Sequence, residues 1–366
     1  MAEVTERIET FARFALESGI VLENVPVAYR SWGRLAPDGG NVIVVCHALT
    51  GNTDVEAWWS ELLGPGRALD TERYFVVCAN VLASPYGSAS PLTVNEATGR
   101  AYGAAFPVPT VRDSVALHRL LLERLGVRQV AFAIGGSMGG MQALEWAFHG
   151  SFVRGLVPIG VGGRHSAWCI AWSEAQRQAI FADPAWRGGL YPPGEGPATG
   201  LAIARMMAMI SYRSYESFER RFGRSLAEGT GGQRYAVETY LEHQGENLVR
   251  RFDANCYVRL TQTMDTHDVA RGRGDYFDVL ASIAQPALVV GIDTDILYPL
   301  AEQRELAQHV PRARLAVLES RHGHDAFLIE REAMNELVAS WRRDVIEPTA
   351  SENGRHIASG IEEERG

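Results

Sequence analysis

Short apolar, β-rich runs alternate with helix-period stretches along the first half of the chain. Asn41-Val42-Ile43-Val44-Val45-Cys46, Tyr74-Phe75-Val76-Val77-Cys78 and Val130-Ala131-Phe132-Ala133-Ile134 read as buried strands, and Gly155 to Val161 continues the same sheet. Before the third run, Val111 to Leu125 places Leu117, Leu120, Leu121, Leu122 and Leu125 on a helical period. Thr110 and Asp113 give this helix a start resembling a capping box, and Gly126 closes it. Strands separated by helices predict parallel β-α-β units and a sheet covered on both faces.

From about Arg164 to Tyr276 the pattern is helical, with no buried strand. The sheet pattern returns at Pro286-Ala287-Leu288-Val289-Val290-Gly291. A helix (Leu300 to His309), a strand (Arg314 to Leu318) and an amphipathic helix (about Glu330 to Arg343) follow. The predicted organisation is an α/β core over 1–163, a helical insertion over 164–276 suited to act as a lid, and the rest of the core over 277–347. The polar stretch 348–366 is expected to be disordered.

With 366 residues, 46% of them hydrophobic, the chain can bury a sizeable core. A formal net charge of -9 argues against nucleic-acid binding. The sequence contains no lysine, so all 35 basic residues counted as Lys+Arg are arginines. Schiff-base, pyridoxal-phosphate, P-loop and kinase chemistries all need a lysine amine and are excluded. Cys46, Cys78, Cys169 and Cys256 show no C-x-x-C spacing. Met1 to Glu17 does not read as a secretory signal, and no apolar run reaches membrane-spanning length; a cytoplasmic setting is expected.

Gly135-Gly136-Ser137-Met138-Gly139 fits G-x-S-x-G between a strand and a helix-like run from Met141 to His149, the context of a nucleophile elbow. An ordinary glycine-rich turn is the bland alternative. A serine needs a base, and chain order on such a fold requires an acid and then a histidine after later strands. Asp295 and His324 fit those positions, with Asp293 and His322 as rivals two residues away. His47-Ala48-Leu49-Thr50-Gly51 follows a strand where the second oxyanion donor belongs. The Leu49 and Met138 amides are therefore the expected pair, with His47 structural.

Arg205 interrupts the apolar helix Gly200 to Ile210 and calls for an anionic partner, either inside the lid or as a substrate carboxylate. Asp265-Thr266-His267-Asp268 lacks the ligand set of a metal centre, and no G-x-G-x-x-G opens a helix. Neither a bound metal nor a dinucleotide cofactor is expected.

His47-Ala48-Leu49-Thr50-Gly51, Gly135-Gly136-Ser137-Met138-Gly139-Gly140-Met141, Arg164-His165-Ser166-Ala167-Trp168 and Gly323-His324-Asp325-Ala326-Phe327-Leu328 together resemble the homoserine O-acetyltransferase family, from about Leu22 to Leu337. The resemblance implies an α/β-hydrolase fold and, within methionine biosynthesis, ping-pong transfer of acetyl from acetyl-CoA through Ser137 to L-homoserine. It implies a triad of Ser137, Asp295 and His324, substrate binding by Arg205 and Asp325, and a homodimer joined through the lid. Arginine suits the substrate carboxylate, and aspartate its ammonium. Ala83-Ser84-Pro85-Tyr86-Gly87-Ser88-Ala89-Ser90-Pro91 departs from the commoner bacterial pattern and is similar to the fungal-type version, as is Ser173-Glu174-Ala175-Gln176-Arg177-Gln178. Relatives on this scaffold use succinyl-CoA, or accept serine or deacetylcephalosporin C, and esterases share the fold.

Overall fold

The computed structural model describes residues 6–229 and 232–347, so the tail expected at 348–366 lies outside the described residues. Eight strands among them form one sheet. They are β1 (Arg7–Ala15), β2 (Val21–Trp32), β3 (Val42–Cys46), β4 (Phe75–Ala79), β7 (Val130–Gly136), β8 (Leu156–Ile159), β9 (Ala287–Ile292) and β10 (Ala313–Leu318). A separate small ribbon pairs β5 (Val94–Asn95) with β6 (Arg100–Ala101). The sheet order is β1-β2-β4-β3-β7-β8-β9-β10, parallel from β4 to β10. β1 and β2 add an antiparallel edge.

β3, β7, β8 and β9 are buried at every position, which explains why each reads as a continuous apolar run. Alternate residues of β3 serve opposite faces: Val42 and Val44 join one apolar layer, Ile43 and Val45 the other. β1 differs. Most of its residues are exposed, and charged positions interrupt it (Arg7, Glu9, Arg13), so sequence pattern gives no sign of it.

Helices connect the parallel strands. α1 (Val55–Trp59) follows β3, and α2 (Val111–Arg124) precedes β7. The capping box of α2 is complete: Thr110 Oγ1 accepts from Asp113 N (3.1 Å) while Asp113 Oδ2 accepts from Thr110 N (2.8 Å). α3 (Met138–Glu145) starts directly after the serine. It ends sooner than expected, giving way to a 3₁₀ stretch over Trp146–Phe152 that breaks at His149 and Gly150.

Between β8 and β9 the chain runs through α4 (Ala167–Phe181), α5 (Ala198–Tyr212), α6 (Tyr215–Arg221), α7 (Ala236–Val249), α8 (Ala254–Asp265) and α9 (Tyr276–Ala281). Ser166, Ser214, Asp253 and Asp275 cap α4, α6, α8 and α9 with their side chains. After β9 come α10 (Leu300–His309), then β10, α11 (Ala326–Ile329) and α12 (Arg331–Trp341), which passes into a π turn over Arg342–Ile346. No helix among the described residues is long and apolar enough to cross a membrane.

Phe132 on the central strand β7 is fully buried, edge-on to Tyr74 and to Trp341 with ring centroids 6.4 Å and 5.7 Å away. Phe132→Ala is expected to cost about 3–5 kcal/mol, because the space left between two large rings cannot close. The drop in urea unfolding midpoint measures it, and a loss below about 1 kcal/mol would contradict this packing.

Candidate active site

The sharp turn between β7 and α3 carries Ser137 at φ 58°, a backbone region that costs a non-glycine residue energy. Its neighbours make the turn possible. A Cβ on Gly139 would overlap the Cys46 carbonyl oxygen, and one on Gly136 would lie 2.5 Å from the Phe327 ring. These glycines let β3, the turn and the histidine loop pack without side chains between them. The Ser137 amide donates to Ile159 O at the end of β8 (2.9 Å).

His324 and Asp295 meet beside that strand end. His324 Nδ1 donates to Asp295 Oδ2 at 2.6 Å, with both side chains buried. The other carboxylate oxygen accepts from the backbone N–H of Leu297 (2.8 Å) and Tyr298 (2.9 Å), which fixes the acid before the imidazole arrives. Gly160, one residue beyond Ile159, lies against the ring: a Cβ there would be 3.3 Å from His324 Cε1. Tyr298, Phe327 and Tyr212 enclose the imidazole at centroid distances of 5.2, 5.6 and 5.9 Å. His324 Nε2 is buried and has no hydrogen-bond partner among the described residues, the Ser137 hydroxyl included. Apo sites often hold this contact open until substrate binds.

Burial opposes the imidazolium, but the Asp295 charge and hydrogen bond, helped by Asp325, lift His324 above the ordinary imidazole value. The rivals are engaged elsewhere. Asp293 Oδ1 accepts from Ser320 N (2.9 Å), and His322 stands 3.5 Å from Ser217 Oγ and 4.0 Å from Glu330.

The loop after β3 supplies Leu49, and α3 begins with Met138. Neither amide donates a hydrogen bond among the described residues, so both N–H groups are unengaged within the protein. His47 supports that loop: its Nδ1–H donates to Ala48 O (2.9 Å), and Nε2 accepts from Val81 N (3.3 Å). Burial pushes it down to about 4, so it stays neutral.

A cavity of about 340 Å³ opens here, lined by Ala48, Thr50, Gly136, Arg205, Arg251 and Phe327 among others. Of the two anionic partners expected for Arg205, a carboxylate of the protein is not found: among the described residues none pairs with it. The guanidinium is half-buried on the cavity wall, 5.6 Å from the Tyr212 ring centroid, so solvent and an aromatic face replace an ion pair. Asp325 is not free either. Arg213, which sequence reasoning passed over, stands 3.0 Å from its carboxylate. Arg251 was also missed. It reaches from just beyond α7 to donate to Thr50 O (2.9 Å) and to the Tyr86 hydroxyl. Its only sequence signal was Tyr86 within the departing segment 83–91. In the Asp265 to Asp268 stretch, Asp265 pairs with Arg177 (2.8 Å) and the His267 ring bonds Gly162 O (3.0 Å).

Comparison with known proteins decides the family. A family model described as alpha/beta hydrolase fold matches residues 41–330. Homoserine O-acetyltransferase of Salinibacter ruber is 61% identical over 347 residues, 93% of this chain and 99% of that protein. The chain belongs to the homoserine O-acetyltransferase family. Among solved structures, homoserine O-acetyltransferase from Bacillus anthracis superposes with TM-score 0.87 at 24% identity (95% of this chain, 99% of that one), a likeness of fold. Esterase E22 superposes with TM-score 0.84 at 26% identity, covering 92% of this chain and 100% of that one. Transferase and esterase thus share this architecture, and chemistry is argued from the cavity and not from the sheet.

Asp295→Asn is expected to lower acylation by about 10⁴-fold, as loss of an orienting acid does elsewhere. His324 works as a base only above its own pKa, which Asp295 raises; without that charge burial prevails and the acid limb of the rate profile moves to lower pH. A pH–rate profile checks this, and an unmoved limb would contradict the coupling.

Proposed function

We propose that this acyltransferase moves an acetyl group from acetyl-CoA to the side-chain hydroxyl of L-homoserine through an acyl-serine at Ser137. His324 Nε2 takes the Ser137 proton as Oγ attacks the thioester carbonyl. The Leu49 and Met138 amides hold the oxyanion. Collapse breaks the C–S bond, and the leaving thiolate receives the proton from the imidazolium. The homoserine hydroxyl then repeats the attack on the ester, and Ser137 regains its proton. Asp295 orients the neutral imidazole with its proton on Nδ1 and stabilises the imidazolium when Nε2 is protonated.

The observation that carries this reading is Arg205, on the wall of the cavity beside Gly136 without a protein carboxylate. A guanidinium so placed suits the carboxylate of an amino acid, with Asp325 nearby for the ammonium. A second reading, ester hydrolysis with water as acceptor, draws on the likeness to esterase E22. Four free, buried cysteines are consistent with a reducing, cytoplasmic setting. Exposed Ile203 and Ile210 on α5 give the lid an apolar face that suits a homodimer.

Homoserine and serine crossed with acetyl-CoA and succinyl-CoA is the deciding panel. O-acetylhomoserine is expected as the main product, and thioester hydrolysis unaffected by homoserine would favour the esterase reading. Arg205→Ala is expected to remove about 1.5–3 kcal/mol of acceptor binding, a rise of roughly 10- to 150-fold in KM for homoserine, with acylation by acetyl-CoA nearly unchanged. Equal loss of acylation would contradict that role.

A further inference from the structure

We propose that Arg213 is a positioning residue for the acceptor's amino group, holding the Asp325 carboxylate so that an oxygen of it receives the ammonium of an amino alcohol. This rests on the reading of Asp325 as an acceptor-binding residue.

Three observations support it. First, Arg213 Nε stands 3.0 Å from Asp325 Oδ2, both side chains being largely buried (17% and 16% exposed). Nε has no aligned hydrogen-bond acceptor, so charge and not a directed bond holds the pair. Second, the Asp325 carboxylate accepts no hydrogen bond from the protein among the described residues, although it lies deep between α5 and the histidine loop. A carboxylate there needs donors, and an ammonium supplies three. Third, the backbone is built to bring the two together. Arg213 ends α5 in extended conformation (φ -113°, ψ 155°), turning the chain onto the loop. Gly323, at φ +66°, comes so near that a Cβ would sit 2.7 Å from Arg213 C and from Ser214 N. Ser214 Oγ donates to Arg321 O, and Ser217 Oγ meets His322 Nδ1 at 3.5 Å. The corner after α5 is thus fastened along the loop that carries His324 and Asp325.

The charges facing Asp325 are Arg205 from the middle of α5, Arg213 from its C-terminal end, His324 from its own loop, and Asp295 from the loop after β9. Tyr212 and His322 complete the titratable groups around it. Burial is the largest influence and lifts the Asp325 carboxyl above the usual carboxylate range; Arg213 is the strongest of the charges that hold it down. Removing Arg213 lets burial carry it further up. A carboxylate exists only above its pKa, so acceptor binding is then lost first as pH falls.

The test compares Arg213→Met, Arg213→Lys and Asp325→Asn with the parent enzyme. KM and kcat for homoserine are measured across pH, acylation of Ser137 by acetyl-CoA is followed as a burst, and 4-hydroxybutyrate serves as an acceptor lacking the amino group. Arg213→Met is expected to raise KM for homoserine by about tenfold or more, increasingly at low pH, with the burst preserved and 4-hydroxybutyrate little affected. Arg213→Lys should restore most of the affinity. An equal loss with both acceptors, or loss of the burst, would show that Arg213 only holds the loop, and the proposal fails. If Asp325→Asn raises KM while Arg213→Met does not, this proposal alone is wrong. If Asp325→Asn leaves KM unchanged, the reading of Asp325 itself falls. Should Arg213→Met not fold, the pH dependence of KM in Arg213→Lys against 4-hydroxybutyrate decides alone: parallel changes for both acceptors overturn the proposal.

Discussion

The 2.6 Å hydrogen bond from His324 Nδ1 to Asp295 Oδ2 is the contact on which the site depends. Both groups are buried, so neither could stay polar there without the other. Asp295 accepts two backbone amides on its second oxygen and presents the first to the ring. That arrangement fixes one tautomer and leaves Nε2 as the free base position. The parallel sheet makes this possible, because its carboxyl edge gathers the ends of β7, β8 and β9 and the loop after β10.

The helical segment between β8 and β9 brings positive charge toward this pair. Arg205 faces the cavity, Arg251 grips the loop that carries Leu49, and Arg213 meets Asp325. The helical segment between β8 and β9 thus brings guanidinium groups to the loop after β3 and to the loop that carries His324. In a chain without lysine the cations that reach the site are all planar guanidinium groups, which favour fixed geometry over a mobile point charge.

The central strands and the elbow were legible because burial on both faces writes continuous apolar runs, and the elbow requires glycine at fixed offsets. β1 and β2 were not, because an edge pair mixes charged and apolar positions and leaves no such run. Choosing Asp295 over Asp293 depended on which carboxylate the Leu297 and Tyr298 amides turn inward, a feature of backbone direction that spacing does not encode. Which of two anionic partners suits Arg205, a carboxylate of the protein or one of a substrate, was not legible because helical periodicity cannot tell a cavity wall from a sealed core. Arg213 was invisible for a related reason: its partner lies far along the chain, and only the tight approach at Gly323 brings them together.

The central claim is that the Asp295–His324 pair makes the Ser137 hydroxyl a nucleophile that carries the acyl group. Intact-mass analysis of enzyme quenched with acid after mixing with acetyl-CoA, without homoserine, tests it most directly. A gain of one acetyl group is expected, located on the peptide containing Ser137, discharged by homoserine and absent in Ser137→Ala. Full turnover with no covalent adduct, or an adduct that persists in Ser137→Ala, would contradict it.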